Sequence, residues 1–290
     1  MKIALFLNKD IEANIAYNLL KGELLNHEVK VYYSDAVGSS QNKPFDLRRL
    51  ELFEKGFFYN ELIGFINENQ IQTDFEFFDA SFQSFPIEKS TGVNSKEFID
   101  TMKEFEPDLF ISIRFGKIFK DDIIQIPKHG LINLHSAVLP DYRGIMGTLH
   151  AIKEGNRSIG CTLHTIPNSG IDTGEIIEIA RCDVDRSQSL FGNIVQLYPL
   201  GVQLIIDTIQ KLEQRVSIKT KPQYLAEGSY FSVPAQRDFD ELGTKGMAVI
   251  TERDYFDVII EYILQDLSDL QKDLLSNCIS DYQIEKIQEG

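Results

Sequence analysis

Apolar positions along this chain alternate between short compact runs and longer stretches with helical spacing. Residues 2–8 form a compact run closed by Asn8-Lys9-Asp10; Ile11, Ile15, Ala16, Leu19 and Leu20 then fall at helical intervals before a second compact run at 28–33. That order predicts a strand, a helix and a strand, the opening of a parallel sheet. The polar stretch 38–43 predicts a loop. Residues 45–69 repeat Leu47, Leu50, Phe53, Phe57, Leu62 and Phe65 at helical intervals, with Gly56 and Gly64 interrupting, which predicts one broken helix or two shorter ones. Further strands are expected at 72–78 and 107–113, with a helix at 95–105 between them and a turn with a short helix at 115–126. The 107–113 run lacks polar alternation, as a strand covered on both faces does.

Strands are also expected at 130–135, 160–166 and 175–182, with a helix at 147–154. Ser187 and Ser189 precede Leu190, Ile194, Leu197, Val202, Ile205, Ile206 and Ile209, the signature of a long amphipathic helix. The pattern is therefore α/β with a mostly parallel sheet over residues 1–212. Residues 213–290 form a smaller C-terminal extension of short aromatic pieces, suited to dimerisation or substrate contacts, whose last ~20 residues read as a loose terminus.

At 290 residues and 43% hydrophobic the chain can bury a substantial core. No unbroken apolar run approaches the ~18 to 20 residues of a membrane span, and the first run meets Asp10 and Glu12 almost at once, so it reads as the first strand of a cytoplasmic protein. Cys161, Cys182 and Cys278 are odd in number and lack C-x-x-C spacing, which argues against a disulfide framework or a zinc knuckle. The net charge of −15 works against a nucleic-acid partner, since such binding relies on basic groups displacing phosphate counterions. The first strand-to-helix turn holds no glycine, so a G-x-G-x-x-G dinucleotide site is not expected there.

Chemistry concentrates in residues 130–174. Asn133 and His135 lie two apart on a predicted strand, so they share a face near the carboxyl end where parallel sheets place ligands. From spacing alone they read equally well as residues tying down the following turn. Asp172 stands in the turn GIDTG, where glycines let the backbone bend sharply; an Asx-type turn residue is the plainer alternative. An amide, an imidazole and a carboxylate suit transfer of an acyl group to an amine: Asn133 and His135 hydrogen-bond the oxyanion, while Asp172 orients the ring and helps move protons. His135, His150 and His164 match no metal-ligand spacing, so no metal is expected, and His150 and His164 read as structural or exposed. Within LPDYRG, Arg143 can meet an anionic group bidentately.

Taken in order, NLHSAVLPDYRG, GTLHAIKEG, IGCTLHTI and GIDTG resemble the folate-dependent N-formyltransferases, closely so over residues 108–177. Ala137-Val138 stands where relatives often have Ser-Leu, a mild packing change. The resemblance implies a Rossmann-like domain, N10-formyltetrahydrofolate as formyl donor with no metal, and Asn133, His135 and Asp172 as the catalytic triad. It also implies that Phe115, Gly116, Lys117 and Ile118 line the folate pocket, faced by the turn containing Pro167, Gly170 and Ile171. Methionyl-tRNA formyltransferases are similar in the core but carry a basic C-terminal barrel, whereas residues 251–290 hold ten acidic and three basic side chains. The segment GSYFSVP, residues 228–234, looks like a feature of the nucleotide-sugar N-formyltransferases. That likeness implies a homodimer, a dTDP-linked amino sugar as acceptor, and substrate contacts from Tyr142, Arg143 and Tyr230. The rival readings are a tRNA enzyme and a non-catalytic binding protein that keeps the folate-fold pocket.

Overall fold

The computed structural model describes residues 1–35, 43–78, 83–90 and 92–289. The loop expected at 38–43 lies outside them except for Lys43. Strand β1 (Lys2–Asn8) leads into helix α1 (Ile11–Leu24), whose first turn is capped by Asp10, the Oδ1 atom accepting from Ala13 N at 2.9 Å. Strand β2 (Glu28–Ser34) lies parallel to β1. The stretch with helical spacing at 45–69 is one helical rod: α2 (Phe45–Glu51), a π-helical segment (Leu52–Glu61) and α3 (Leu62–Glu68). Wide π-turns absorb the Gly56 interruption, where an added Cβ would lie 2.4 Å from the Tyr282 hydroxyl.

Residues 72–78 form no strand. Their carbonyls and amides are taken instead by side chains: Glu76 O accepts from Asn14 Nδ2 and Asn18 Nδ2, and Glu76 N donates to Asn18 Oδ1. The pairing partner of β2 is β3 (Ile87–Lys89), too short to show a pattern in the sequence. Helix α4 (Lys96–Phe105), capped by Ser95, precedes β4 (Leu109–Ile113), all five of whose residues are buried. Then come α5 (Asp121–Ile124), β5 (Leu131–His135), the short β6 (Tyr142–Gly144), α6 (Gly147–Lys153), β7 (Ser158–Thr165) and β8 (Ile176–Asp183). The main sheet runs β3-β2-β1-β4-β5-β7-β8, parallel as far as β5 and antiparallel for the last two strands.

Alternate residues of β1 enter opposite cores: Ile3, Leu5 and Leu7 face the larger one, Ala4 and Phe6 the smaller one beneath α4 and α5. The amphipathic stretch after Ser189 is two helices, α7 (Leu190–Val195) and α8 (Leu197–Glu213), meeting at Gln196. By length and composition alone 190–213 would suit a membrane, but it packs on β7, β8 and α1.

Beyond it lie β9 (Ser229–Phe231), α9 (Gln236–Thr244), α10 (Glu252–Tyr262) and α11 (Asp269–Glu289). Within the stretch expected to be a loose terminus, Leu275, Ile279 and Tyr282 of α11 are buried. Tyr255 and Tyr282 set their ring edges against Phe53 and Phe57 of the π segment at 5.0–5.8 Å, and the Tyr255 hydroxyl donates to Phe53 O. Each such buried aromatic contributes on the order of 1.5–3 kcal/mol through area alone. The extension therefore shares the larger core with the sheet's helices.

Candidate active site

Strand pairing brings the polar residues together. On β5, Asn133 lies between Ser112 of β4 and His164 of β7, and His135 lies opposite Thr162. The loop after His135 is fixed by three hydrogen bonds: Leu139 N and Ala137 O both bond Thr162 Oγ1, and Thr148 Oγ1 donates to Ser136 O. The turn after β7 carries Asp172 at a left-handed φ of 52°. Gly144 N donates to Asp172 Oδ2 at 2.8 Å. Only glycine serves at 144, because φ is 94° and a Cβ would stand 2.1 Å from Phe231 O on the paired strand β9.

His135 is buried, and its Nε2 lies 2.7 Å from Tyr142 O. A carbonyl only accepts, so Nε2 carries a proton and Nδ1 is the atom that faces Asp172 Oδ2 at 3.6 Å. A second imidazole completes the group. His164 Nδ1 donates to Thr165 O at 2.8 Å, while its Nε2 lies 3.1 Å from Asn133 Nδ2 and 3.4 Å from Asp172 Oδ1. His164 thus joins the amide to the carboxylate. Burial by itself would raise the Asp172 carboxyl, but the charge of His135, the His164 contacts and the Gly144 N–H outweigh it and hold the group well below the ordinary carboxylate range.

Asn133, His135 and Asp172 open onto a cavity of about 430 Å³. Phe115, Gly116, Lys117 and Ile118 form one wall and Gly170 and Ile171 another, with Tyr230 at the rim. Ile118 and Ile171 are 55% and 41% exposed, large apolar surfaces that a flat heteroaromatic ring would cover. The chain therefore offers apolar walls that fit a folate. The Gly116 N–H is already used by Ser34 Oγ at 2.8 Å, and Lys117 Nζ is tied to Ser90 O at 2.6 Å.

Three expected contacts lie elsewhere. Pro167 is exposed and is not among the residues that line the cavity, whereas its neighbours Ile166 and Asn168 are. Tyr142 is buried outside the cavity, its hydroxyl donating to Glu154 Oε2 and accepting from Asn156 Nδ2, both at 2.7 Å; only its carbonyl serves the site. Arg143 leaves the opposite face of β6, and its Nη2 donates to Leu225 O at 3.3 Å. Neither Tyr142 nor Arg143 is among the residues that line the cavity, although Arg143 stands beside Tyr230, which does.

Sequence reasoning missed His164, Arg114 and Glu54. His164 sits on the same strand face as Thr162, a signal visible only once β7 is set antiparallel to β5. Arg114 follows β4 with φ 57° and lines the cavity together with Glu54 of the π segment. It lies where the sheet order reverses between β1 and β4. Its Nε donates to Asp10 Oδ2 at 2.9 Å and its Nη1 to Tyr198 Oη at 3.2 Å, with Glu12 and Glu54 oxygens 3.6 and 3.7 Å from Nη2. Burial, only partly offset by Arg114, pushes the Glu12 and Glu54 carboxyls up.

Comparison with known proteins shows the family of the chain. A methionyl-tRNA formyltransferase of Thermodesulfovibrio yellowstonii is 36% identical over 141 residues, 48% of this chain and 44% of that protein. One from Caldicellulosiruptor saccharolyticus is 30% identical over 133 residues, 45% and 42% of the two chains. The match thus spans less than half the length of these curated relatives. A sugar N-formyltransferase from Shewanella sp. FDAARGOS_354 superposes with a TM-score of 0.52 at 15% identity, over 96% of this chain and 88% of that one, a likeness of fold. Residues 2–195, well over half of the chain, match the family model described as formyl transferase, and the chain belongs to that family.

Proposed function

We propose that this protein transfers the formyl group of N10-formyltetrahydrofolate to the amine of a nucleotide-linked amino sugar, with a dTDP-linked amino-dideoxy sugar as the acceptor. The observation that carries the formyl-transfer reading is the convergence of Asn133, His135 and Asp172 at one cavity whose walls are apolar. The acceptor amine attacks the formyl carbon directly. Negative charge develops on the formyl oxygen, where the Asn133 amide donates a hydrogen bond and the His135 ring adds a second once its Nε2–H turns from Tyr142 O. Asp172, kept ionised by its neighbours, stabilises the positive charge that develops on the attacking nitrogen and on the imidazoles beside it. The folate nitrogen then leaves with the electron pair of the broken C–N bond and receives the proton that the attacking amine gives up.

The sugar-nucleotide acceptor rests on the likeness of residues 228–234 and on Tyr230, half exposed at the cavity rim, where an aromatic ring can stack on a base. A methionyl-tRNA acceptor is the second reading, favoured by the names of the curated relatives. Against it stand the net charge of −15 and the acidic residues 251–290, which oppose a polyanionic partner. We place the enzyme in the cytoplasm as a homodimer, the state that light scattering tests. The deciding experiment supplies N10-formyltetrahydrofolate with a panel of nucleotide-linked amino sugars or with methionyl-tRNA and follows folate absorbance. Turnover of a dTDP-amino sugar is expected. Turnover of methionyl-tRNA alone overturns the acceptor, and folate binding without formylation of any amine makes the chain a binding protein.

A further inference from the structure

Residues 214–228, which join α8 to β9, grip the loop that carries Asp172. Lys221 and Ile176 exchange two backbone hydrogen bonds of 2.8 Å, and Thr220 Oγ1 donates to Glu175. The Gln223 amide then reaches under the turn itself: its Nε2 donates to Asp172 O at 3.1 Å and to Gly174 O at 2.5 Å. Gln223 Oε1 is buried with no hydrogen-bond partner among the described residues, so the side chain is held here for its donors. The turn needs such a hold. Asp172 keeps a left-handed backbone that side-chain-bearing residues avoid, and Gly174 passes so close to β7 that a Cβ would lie 1.7 Å from Thr165 O.

We infer that Gln223 is a positioning residue for Asp172. This rests on the reading of Asp172 as part of the reacting site. By satisfying the carbonyls on both sides of the turn, Gln223 fixes the Asp172 backbone and with it the carboxylate between His135 and His164. The carboxylate end is held by the Gly144 N–H, on a strand that β9 keeps in place through Ile145 N and Phe231 O at 2.9 Å. Both ends of Asp172 are thus set by chain that lies after Arg215. Without the Gln223 donors, the two carbonyls lose their partners, the turn relaxes toward negative φ, and the carboxylate leaves the imidazoles.

The test uses the full chain carrying Gln223→Leu or Gln223→Glu, with Gln223→His as a partial rescue that retains one donor. For the first two, kcat falls ~10-fold to 100-fold, as expected for a misplaced reacting group, while KM for N10-formyltetrahydrofolate stays at the parent value. The ¹³C resonance of the Asp172 carboxyl titrates at higher pH than in the parent, and Gln223→His lies between. The carboxyl titration needs no acceptor, so it reports on Gln223 even where the proposed sugar is wrong. Undiminished turnover in Asp172→Asn refutes the role of Asp172 instead. The inference is overturned if Gln223→Leu and Gln223→Glu leave the Asp172 titration unmoved, or if KM for the donor rises while kcat holds.

Discussion

Two buried polar clusters stand at the carboxyl ends of the same sheet, and they are built in opposite ways. Around Asp172, two imidazoles and a backbone N–H serve one carboxylate, and the group opens on the cavity. Between β1 and β4, three carboxyls share one guanidinium: Asp10, Glu12 and Glu54 surround Arg114. The carboxyl shifts follow suit, downward for Asp172 and upward for Glu12 and Glu54. Arg114 and Glu54 line the same cavity, at the switch point where open α/β sheets place phosphates on the N-terminus of the following helix. Here the Asp10 side chain already caps α1 and takes the Ala13 N–H that a phosphate would use. The two clusters therefore differ in charge balance: two imidazoles serve one carboxylate around Asp172, and one guanidinium serves three carboxyls around Arg114.

The comparison breaks most sharply at Arg114. Arg114→Leu leaves buried acids uncompensated and is expected to cost about 3–5 kcal/mol in urea unfolding. Carboxyls whose folded-state pKa is raised contribute stability that is complete below their unfolded value of about 4.3 and is lost as pH rises through the folded value. The Arg114→Leu deficit is therefore larger at pH 8 than at pH 5, and an equal deficit at both would refute the assignment. At the other cluster, Asn133→Ala, His135→Ala and Asp172→Ala are each expected to lower turnover ~10²-fold or more with the thermal midpoint near the parent. Near-normal turnover in any one of them reduces that residue to a structural part. The smallest effect belongs to Glu12→Gln. Because burial already favours the uncharged form of Glu12, stability should move by about 1 kcal/mol or less, measured in the same urea titration.

The sheet was largely legible in advance because its buried strands are compact apolar runs, as at β1 and β4, set between helices with caps such as Asp10 and Ser95. What stayed hidden depended on pairing across long separations. β3 is three residues long and has no period to read. Residues 72–78 have a strand's composition, yet Asn14 and Asn18 of α1 satisfy their backbone. Asn133 and His135 could be placed on one face by their spacing of two, whereas His164 joins them only through the β5–β7 register. Tyr142 and Arg143 are adjacent on β6, so their side chains leave opposite faces: Tyr142 is buried against Glu154 and Asn156, while Arg143 stands beside Tyr230 of β9 and bonds Leu225 O, placements that only the β6–β9 pairing reveals.

That pairing also sets a timetable. Tyr142 meets Ser229, so a strand that supports the Asp172 carboxylate finds its partner more than eighty residues later in the chain. With synthesis proceeding at roughly 5–20 residues per second, the nascent sheet waits some seconds for β9 to emerge. During that interval a ribosome-bound chain holds Asn133, His135 and Asp172 without the clasp that aligns them. The support for the Asp172 carboxylate is thus completed only when the C-terminal extension, which also supplies part of the larger core, has emerged.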